Sequence, residues 1–270
     1  IDQANAVLKY ADKVGMTESD KGFAIGQAAF ARAYCYFWAA RLWGDVPLNL
    51  VPIESVNQPE TYPLRAPKAD VYAQIGNDIE TAVANSAYLG NDKYFATADA
   101  VNMLKAEYGL WMYTTQNGGD SFLNLASDAL SAIGISSGKL LPKYSDVFSR
   151  DNKRNTEVVF ALMNNQQEKL TGGYYSYFYH PSNLIASQYR NNPVPVSSTQ
   201  WWSYSREFID VLNKSKAEHN DSRVECNLGE GEYGASGQTL TWPNKFLGDM
   251  SKQPVVEDCD LLYYRYAYAV

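Results

Sequence analysis

The sequence contains few of the residues that metal and disulfide chemistry need. Its 270 residues include two histidines and three cysteines. His180 and His219 are far apart and have no cysteine or histidine at ligand spacing, so we expect no metal site and no cofactor. Three scattered cysteines are too few for a disulfide framework, although a bridge between Cys226 and Cys259 stays open. Cys35 lies in an apolar helical run and is predicted to be a core residue.

Cations and long apolar runs are also scarce. The chain has 23 Lys and Arg against 30 Asp and Glu, which gives a net charge of −7. This balance repels phosphate, so nucleic acid is not an expected partner. The longest apolar run, residues 33–40, is far shorter than the roughly 18 residues that a membrane span requires.

Local catalytic signatures are absent or unconvincing. Gly-x-Ser-x-Gly occurs once, at residues 134–138, but it follows a predicted helix and not a strand, so a Ser–His–Asp hydrolase lacks its usual signature. Residues 229–234 match Gly-x-Gly-x-x-Gly, but the match carries two carboxylates where a pyrophosphate would lie. We interpret this segment as an exposed loop.

The first half of the chain has the periodicity of helices. Apolar residues recur at three- and four-residue steps, which predicts a helix over 21–43 ended by Gly44. Pro67 is predicted to open the next helix, with an inward stripe of Val71, Ile75, Ile79 and Ala82/Val83. Residues 158–162 are predicted to form a short buried strand or simply part of the core.

Residues 97–133 are predicted to form one helical hairpin. Thr97 and Asp120 are the predicted N-caps, and Gly118-Gly119 is the predicted turn. Gly134 is predicted to end the second helix. Its inward residues are predicted to be Leu123, Ala126 and Leu130.

These hairpins indicate a mainly α fold of tetratricopeptide-like helical hairpins with a loop-rich ligand-binding region. No strict 34-residue repeat is visible, although such hairpins build tetratricopeptide solenoids. We expect residues 1–165 to form the helical scaffold and residues 166–270 to form the loop-rich region.

Residues 171–205 differ in composition from the rest of the chain. They include nine aromatic residues and a single charged one, Arg190. Long irregular segments are usually disordered or functional, and disorder disfavours aromatic residues. Tyr and Trp offer a flat apolar face with a polar edge, which suits a sugar ring. The predicted ligand-binding residues are Tyr179, Tyr189, Arg190, Asn191, Trp201, Trp202 and Tyr204.

The alternative is that these rings fill a loop-built core. Because Trp201 and Trp202 are adjacent, we expect one of them to be buried and the other exposed. No Asp or Glu lies between Glu168 and Glu207. A glycosidase needs two carboxyl groups beside the scissile bond, so this composition favours holding a sugar over cutting it.

Several motifs resemble the SusD/RagB family. The most specific runs from Ala31-Arg32-Ala33-Tyr34-Cys35-Tyr36-Phe37 to Gly44-Asp45-Val46-Pro47. Further motifs follow in the family's order: Tyr144 with Phe148, Glu157-Val158-Val159-Phe160, Asp221-Ser222-Arg223, Lys245-Phe246, Asp260 and Arg265-Tyr266-Ala267. We interpret these as fold residues, with Arg32 pairing inside the scaffold.

The resemblance implies a non-catalytic glycan-binding lipoprotein on the outer face of an outer membrane. It also implies a partner, a TonB-dependent SusC-like transporter that receives the glycan. The family's lipidated cysteine and the helices after the Arg-Tyr-Ala motif are expected to lie outside this chain. Two alternatives stay open: a helical-repeat scaffold that binds protein or peptide, and a glycoside hydrolase.

Overall fold

A computed structural model of the protein describes residues 1–134, 137–165, 167–168, 203–233, 238–243, 245–246 and 258–270. The chain divides into two compact units, one of residues 1–137 with 264–270 and one of residues 138–263. The functional division predicted at residue 165 is a different boundary and stays a prediction.

The described part of the first unit is mainly helical. Its helices are α1 (Asp2–Tyr10), α2 (Glu18–Trp43), α3 (Lys68–Ala84), α4 (Ala98–Thr115) and α5 (Asp120–Ile133). Helix α1 packs on α2, α2 on α3, and α4 on α5. Two short strands, β1 (Val46–Pro47) and β2 (Arg65–Ala66), pair antiparallel between α2 and α3. The predicted mainly α fold of tetratricopeptide-like hairpins is confirmed.

The helix ends follow the capping residues of the sequence. Thr17 and Thr97 each accept a hydrogen bond from a backbone N–H of the first turn, which caps α2 and α4. Gly44 and Gly134 end α2 and α5 at φ values of 70° and 60°. Residues that carry a Cβ atom rarely adopt this left-handed backbone region, so glycine suits both helix ends. The predictions for Thr97, Gly44 and Gly134 are confirmed.

Helix α5 differs from the prediction in its start and in its inward face. Asp120 is the first helical residue rather than the cap, because Gly119 with φ of 82° occupies the cap position. Leu123 was predicted to face inward, but it is 39 % exposed. Ala126 is buried as predicted, and Ala129 is buried as well.

A close approach of α4 and α5 explains the buried face of α5. A Cβ atom added at Gly109 would lie 2.7 Å from the carbonyl oxygen of Phe122 and 3.1 Å from the Cβ of Ala126. Only small side chains fit where the two backbones come this near. The larger Leu123 therefore lies outside the contact.

A buried ion pair joins the first three helices. The guanidinium of Arg32 donates to both carboxylate oxygens of Asp78, at 2.8 and 2.6 Å, and to Asn5 Oδ1 at 3.0 Å. Asn5 in turn donates to the carbonyl oxygens of Asn49 and Val51. All charged atoms of the pair have partners, as burial requires. The prediction that Arg32 pairs within the scaffold is confirmed.

Cys35 is exposed, so its predicted place in the core is wrong. Helix α2 is apolar on more than one side, because Phe37 and Ala40 are buried while Trp38 and Leu42 are exposed. An apolar run without a polar side cannot show which side is inward. Cys226 and Cys259 are buried and are not joined in a disulfide.

The described part of the second unit combines short helices and strands. The helices are α6 (Tyr144–Val147), α7 (Arg206–His219) and α8 (Arg223–Asn227). The strands are β3 (Val158–Leu162), β4 (Leu228–Tyr233) and β5 (Gln238–Pro243), and β3 forms a two-stranded sheet with β6 (Leu261–Arg265). The predicted strand over 158–162 is confirmed.

Residues 229–233 of the glycine-rich motif belong to a hairpin strand, so the interpretation of this segment as an exposed loop is wrong. Strand β4 pairs antiparallel with β5, and Gly229 lies opposite Trp242. Gly229 and Trp242 are both buried, and a Cβ atom on Gly229 would collide with the indole. Glycine is needed here for packing under Trp242.

Candidate functional site

Most of the predicted ligand-binding residues lie outside the described part of the chain. Tyr204 is described. The residues outside it are Tyr179, Tyr189, Arg190, Asn191, Trp201 and Trp202. Their role in binding a glycan stays a prediction.

Tyr204 joins the end of the aromatic segment to two helices. It precedes α7, and its hydroxyl donates to the carbonyl oxygen of Asn227 at the end of α8, at 2.9 Å. Its ring lies 5.1 Å from the ring of Phe208. The residue is half-buried.

The second unit contains a cavity that sequence reasoning did not identify as a site. Its volume is about 450 Å³. It is lined by residues 143–146 and 148–150, by Ser222, Glu225 and Cys226, and by Lys245, Phe246 and Cys259. Ligand sites commonly have volumes of about 300–1,000 Å³, so this cavity is large enough for a small molecule.

Three aromatic rings form a wall of this cavity. The rings of Tyr144 and Phe148 are 5.1 Å apart, and those of Phe148 and Phe246 are 5.4 Å apart at 83°. Phe246 has a φ of 58°, a conformation that costs a bulky residue about 1–3 kcal/mol. This backbone conformation places the ring against Phe148.

The ammonium of Lys245 lies at this aromatic wall. Its Nζ donates to the hydroxyl of Tyr144 at 2.7 Å and lies 4.5 Å from the ring centroid of Phe148. Cations are attracted to ring faces at such distances. The three residues were quoted above as fold motifs, and the structure brings them together across about a hundred positions of sequence.

The acidic groups near the cavity are paired with cations. Arg150 Nε donates to Asp258 Oδ1 at 2.6 Å, and Glu225 lies 3.1 Å from Lys216 Nζ. Arg223 donates twice to Asp221 at 2.8 Å, and these hydrogen bonds hold the pKa of that carboxyl well below its usual range. Within the described residues, no group of three His, Cys, Asp or Glu side chains could hold a metal ion.

A second candidate surface lies on the first unit, at the end of α2. Leu42 and Trp43 are 60 % and 66 % exposed, and Trp38 is 41 % exposed. The guanidinium of Arg41 lies within 5 Å of the ring centroids of Trp38 and Trp111. The described helices include none that is both long and apolar enough to cross a bilayer.

Arg41 is also fixed by a polar chain. It donates to Glu107 at 2.5 Å, and the hydroxyl of Tyr264 donates to the other oxygen of Glu107 at 2.7 Å. Burial raises the pKa of Tyr264, and the neighbouring Glu107 carboxylate adds to the shift. Glu107 therefore fixes the guanidinium that lies against Trp38 and Trp111.

Comparisons with known proteins agree on one family. Residues 1–98 match a SusD-like family model described as "Starch-binding associating with outer membrane". A SusD-like protein of Bacteroides ovatus is 31% identical over 247 residues, which cover 86% of this chain and 42% of that protein. The chain thus spans less than half the length of this relative.

Solved structures share the fold over nearly the whole chain. A SusD superfamily protein from Bacteroides vulgatus is 26% identical, with a TM-score of 0.80 over 99% of this chain and 58% of that chain. A protein described as a "Laminarin binding SusD-like protein" is 20% identical, with a TM-score of 0.71 over 100% of this chain and 62% of that chain. At that identity the second likeness shows the fold alone.

Proposed function

Since this chain belongs to the SusD-like family, we propose that it binds a polysaccharide or oligosaccharide at the cell surface without cleaving it. The observation that carries the proposal is the family match itself, whose model is described as starch-binding. We further propose that the glycan passes to a TonB-dependent SusC-like transporter. The family description names an association with the outer membrane, which supports a location at the cell surface.

The aromatic segment supports binding by stacking. Residues 171–205 carry nine aromatic side chains with one charge, and their neutral amides can bond sugar hydroxyls. The described end of this segment, Tyr204, is anchored to Asn227 and Phe208. When one end of a binding segment is already fixed, less conformational entropy is lost on binding a ligand.

The distribution of carboxylates supports binding without hydrolysis. A glycosidase needs two carboxyl groups about 5–9.5 Å apart beside the bond. The aromatic segment carries no Asp or Glu, and Asp221 and Glu225 are paired with Arg223 and Lys216. A carboxylate bonded to a guanidinium has a lowered pKa and is a poor general acid.

We propose that a lipid anchor holds the protein at the outer membrane. This part of the proposal comes from the family resemblance. Co-purification of the protein with a SusC-like transporter from outer membranes tests the partner directly.

Affinity gels and a reducing-end assay test the ligand and the absence of cleavage together. The protein is run through gels that contain laminarin, xyloglucan or starch, with bovine serum albumin as the unretarded control. We expect retardation by at least one glycan and no new reducing ends after prolonged incubation. Release of reducing ends would contradict the non-catalytic proposal, and no retardation by any glycan would contradict glycan binding.

The exposed end of α2 favours a second function, a scaffold that binds protein. Trp38, Leu42 and Trp43 form an exposed apolar surface on a helix, and such surfaces often mark protein contacts. This function would be favoured if the protein bound no glycan in the affinity gels but still pulled down the transporter. Loss of the pull-down in a Trp38→Ala/Leu42→Ser variant, with Tyr62→Ser as an exposed control, would assign the contact to α2.

A further inference from the structure

Among the described residues, Lys245 has one polar partner, which leaves its ammonium with unused hydrogen-bonding capacity inside the cavity of the second unit. We propose that this cavity binds a sugar that carries an anionic group, a carboxylate or a sulfate ester, with that group on the ammonium of Lys245. The inference rests on the proposed function, because it names the chemical class of glycan that the protein would take.

The first step of the argument is the coordination of Lys245. An ammonium has three N–H donors. Within the described residues, the polar partner of Lys245 is the hydroxyl of Tyr144, at 2.7 Å. Two donors are thus available to a ligand, and an anion would form charge-assisted hydrogen bonds with them.

The second step is the charge balance of the cavity. Its lining includes three cations, Lys143, Arg150 and Lys245, and two carboxylates, Asp146 and Glu225. Asp146 lies 3.9 Å from Lys143, and Glu225 lies 3.1 Å from Lys216. Arg150 donates to Asp258 at 2.6 Å, so Lys245 is the lining cation to which the described residues supply no carboxylate.

The third step is the wall beside the ammonium. Phe148 and Phe246 meet edge to face, and Lys245 Nζ lies 4.5 Å from the Phe148 ring centroid. Apolar C–H groups of a sugar ring pack on such a wall while its anionic substituent reaches the ammonium. The left-handed backbone at Phe246 keeps this ring in place at a cost, which is typical of binding sites.

The competing explanation is that Lys245 only braces the rings. Two variants separate the explanations. Lys245→Met keeps the apolar stem and removes the charge, whereas Lys245→Arg keeps the charge. Lys143→Met is the matched control, because Lys143 lines the same cavity but its side chain is 73% exposed.

The experiment uses protein labelled with ¹³C,¹⁵N-lysine, which leaves all three N–H donors of each lysine ammonium in place. The NMR resonance of Lys245 is assigned by its absence in Lys245→Arg. D-glucuronate, D-galacturonate and glucose 6-sulfate are titrated in turn, and D-glucose and D-galactose serve as uncharged counterparts. We expect the charged sugars to shift the Lys245 resonance. An equal shift should need a concentration of the uncharged sugars that is at least about ten-fold higher.

Calorimetry with the best charged sugar then measures the variants. We expect Lys245→Met to weaken binding about ten-fold or more, and Lys143→Met to change it less than about three-fold. A response to the uronates alone would assign the anion as a carboxylate, and a response to the sulfate alone would assign it as a sulfate ester. Because Lys245 is observed directly in the NMR titration, the test holds even if Lys245→Met folds poorly.

Other outcomes would overturn the inference. If no charged sugar shifts Lys245, or if Lys245→Met binds as well as the unchanged protein, the cavity is not the site. Retention of the protein in glycan gels in that case would leave the proposed function standing. If no charged sugar shifts the Lys245 resonance and no glycan gel retards the protein, both this inference and the proposed function are contradicted.

Discussion

In the first unit the guanidinium of Arg32 is held by Asp78 and Asn5, whereas in the second unit the ammonium of Lys245 meets one hydroxyl and the faces of aromatic rings. The first cation is buried between three helices. Its N–H donors are bonded to the carboxylate of Asp78 and to the amide oxygen of Asn5. The second lines a cavity, and within the described residues it has no carboxylate partner.

This difference separates a charge that stabilises the fold from one that can serve a ligand. A buried ion pair with all partners in place is costly to break, because the remaining charge stays desolvated. A lysine at a cavity can exchange a water molecule for an anion at little cost. The following predictions test this contrast, starting from the largest effect.

Breaking the buried pair should have the largest effect. We expect Asp78→Ala to lower the free energy of unfolding by about 3–5 kcal/mol, because Arg32 is then left without its carboxylate. Urea denaturation followed by circular dichroism measures the loss. Glu54→Ala is the matched control, because its contact with Lys9 at 2.7 Å lies at the surface. An equal shift of the urea midpoint in both variants would contradict the structural role of the pair.

Widening the contact of α4 and α5 should have the next largest effect. We expect Gly109→Ala to destabilise the protein by about 1–3 kcal/mol, because the new Cβ would lie 2.7 Å from the Phe122 carbonyl oxygen. In Gly15→Ala the new Cβ meets nothing within 4 Å, so thermal unfolding of this variant should resemble that of the unchanged protein. A stabilised Gly109→Ala variant would show that the two helices are further apart than described here.

Alkaline pH should weaken the first unit through Tyr108. Burial raises the pKa of Tyr108 to about 12 from a usual value near 10. Above pH 10 the unfolded state loses this proton and the folded state keeps it, so stability falls as the pH rises from 10 to 12. Urea denaturation at several pH values between 9 and 11.5 measures this fall. The free energy of unfolding should decrease less steeply with pH in Tyr108→Phe than in the unchanged protein. Identical slopes for both proteins would contradict the raised pKa.

Removing the cavity charge should have the smallest effect on folding. We expect Lys245→Met to change the free energy of unfolding by less than about 1 kcal/mol, because the stem of the side chain can still pack on Phe148. Differential scanning calorimetry of the variant checks this. A loss as large as that of Asp78→Ala would place Lys245 among the residues that hold the fold together.

The helices could be predicted from the sequence because their signals are local. The stripe of Val71, Ile75 and Ile79 is buried as predicted, and Thr97 caps α4 as predicted. Errors arose where the neighbour decides the face. Cys35 lies on a helix that is apolar on several sides, and Leu123 is excluded from a contact that admits only small residues.

Non-local pairing explains what could not be predicted in the second unit. Strand β4 contains Gly229 and Gly231, which weaken a strand signal, and the strand forms because β5 pairs with it. The cavity joins Tyr144 and Phe148 to Lys245, about a hundred residues later. No periodicity or spacing rule links residues at such separations.

Replacement of Trp201 and Trp202, singly, by alanine tests most directly whether the aromatic segment binds the glycan. We expect at least one of the two variants to lose retardation in an affinity gel that retards the unchanged protein, with a melting temperature within about 2 °C of it. Retardation by the same glycan in both variants, or a large loss of stability with binding intact, would contradict stacking by these tryptophans.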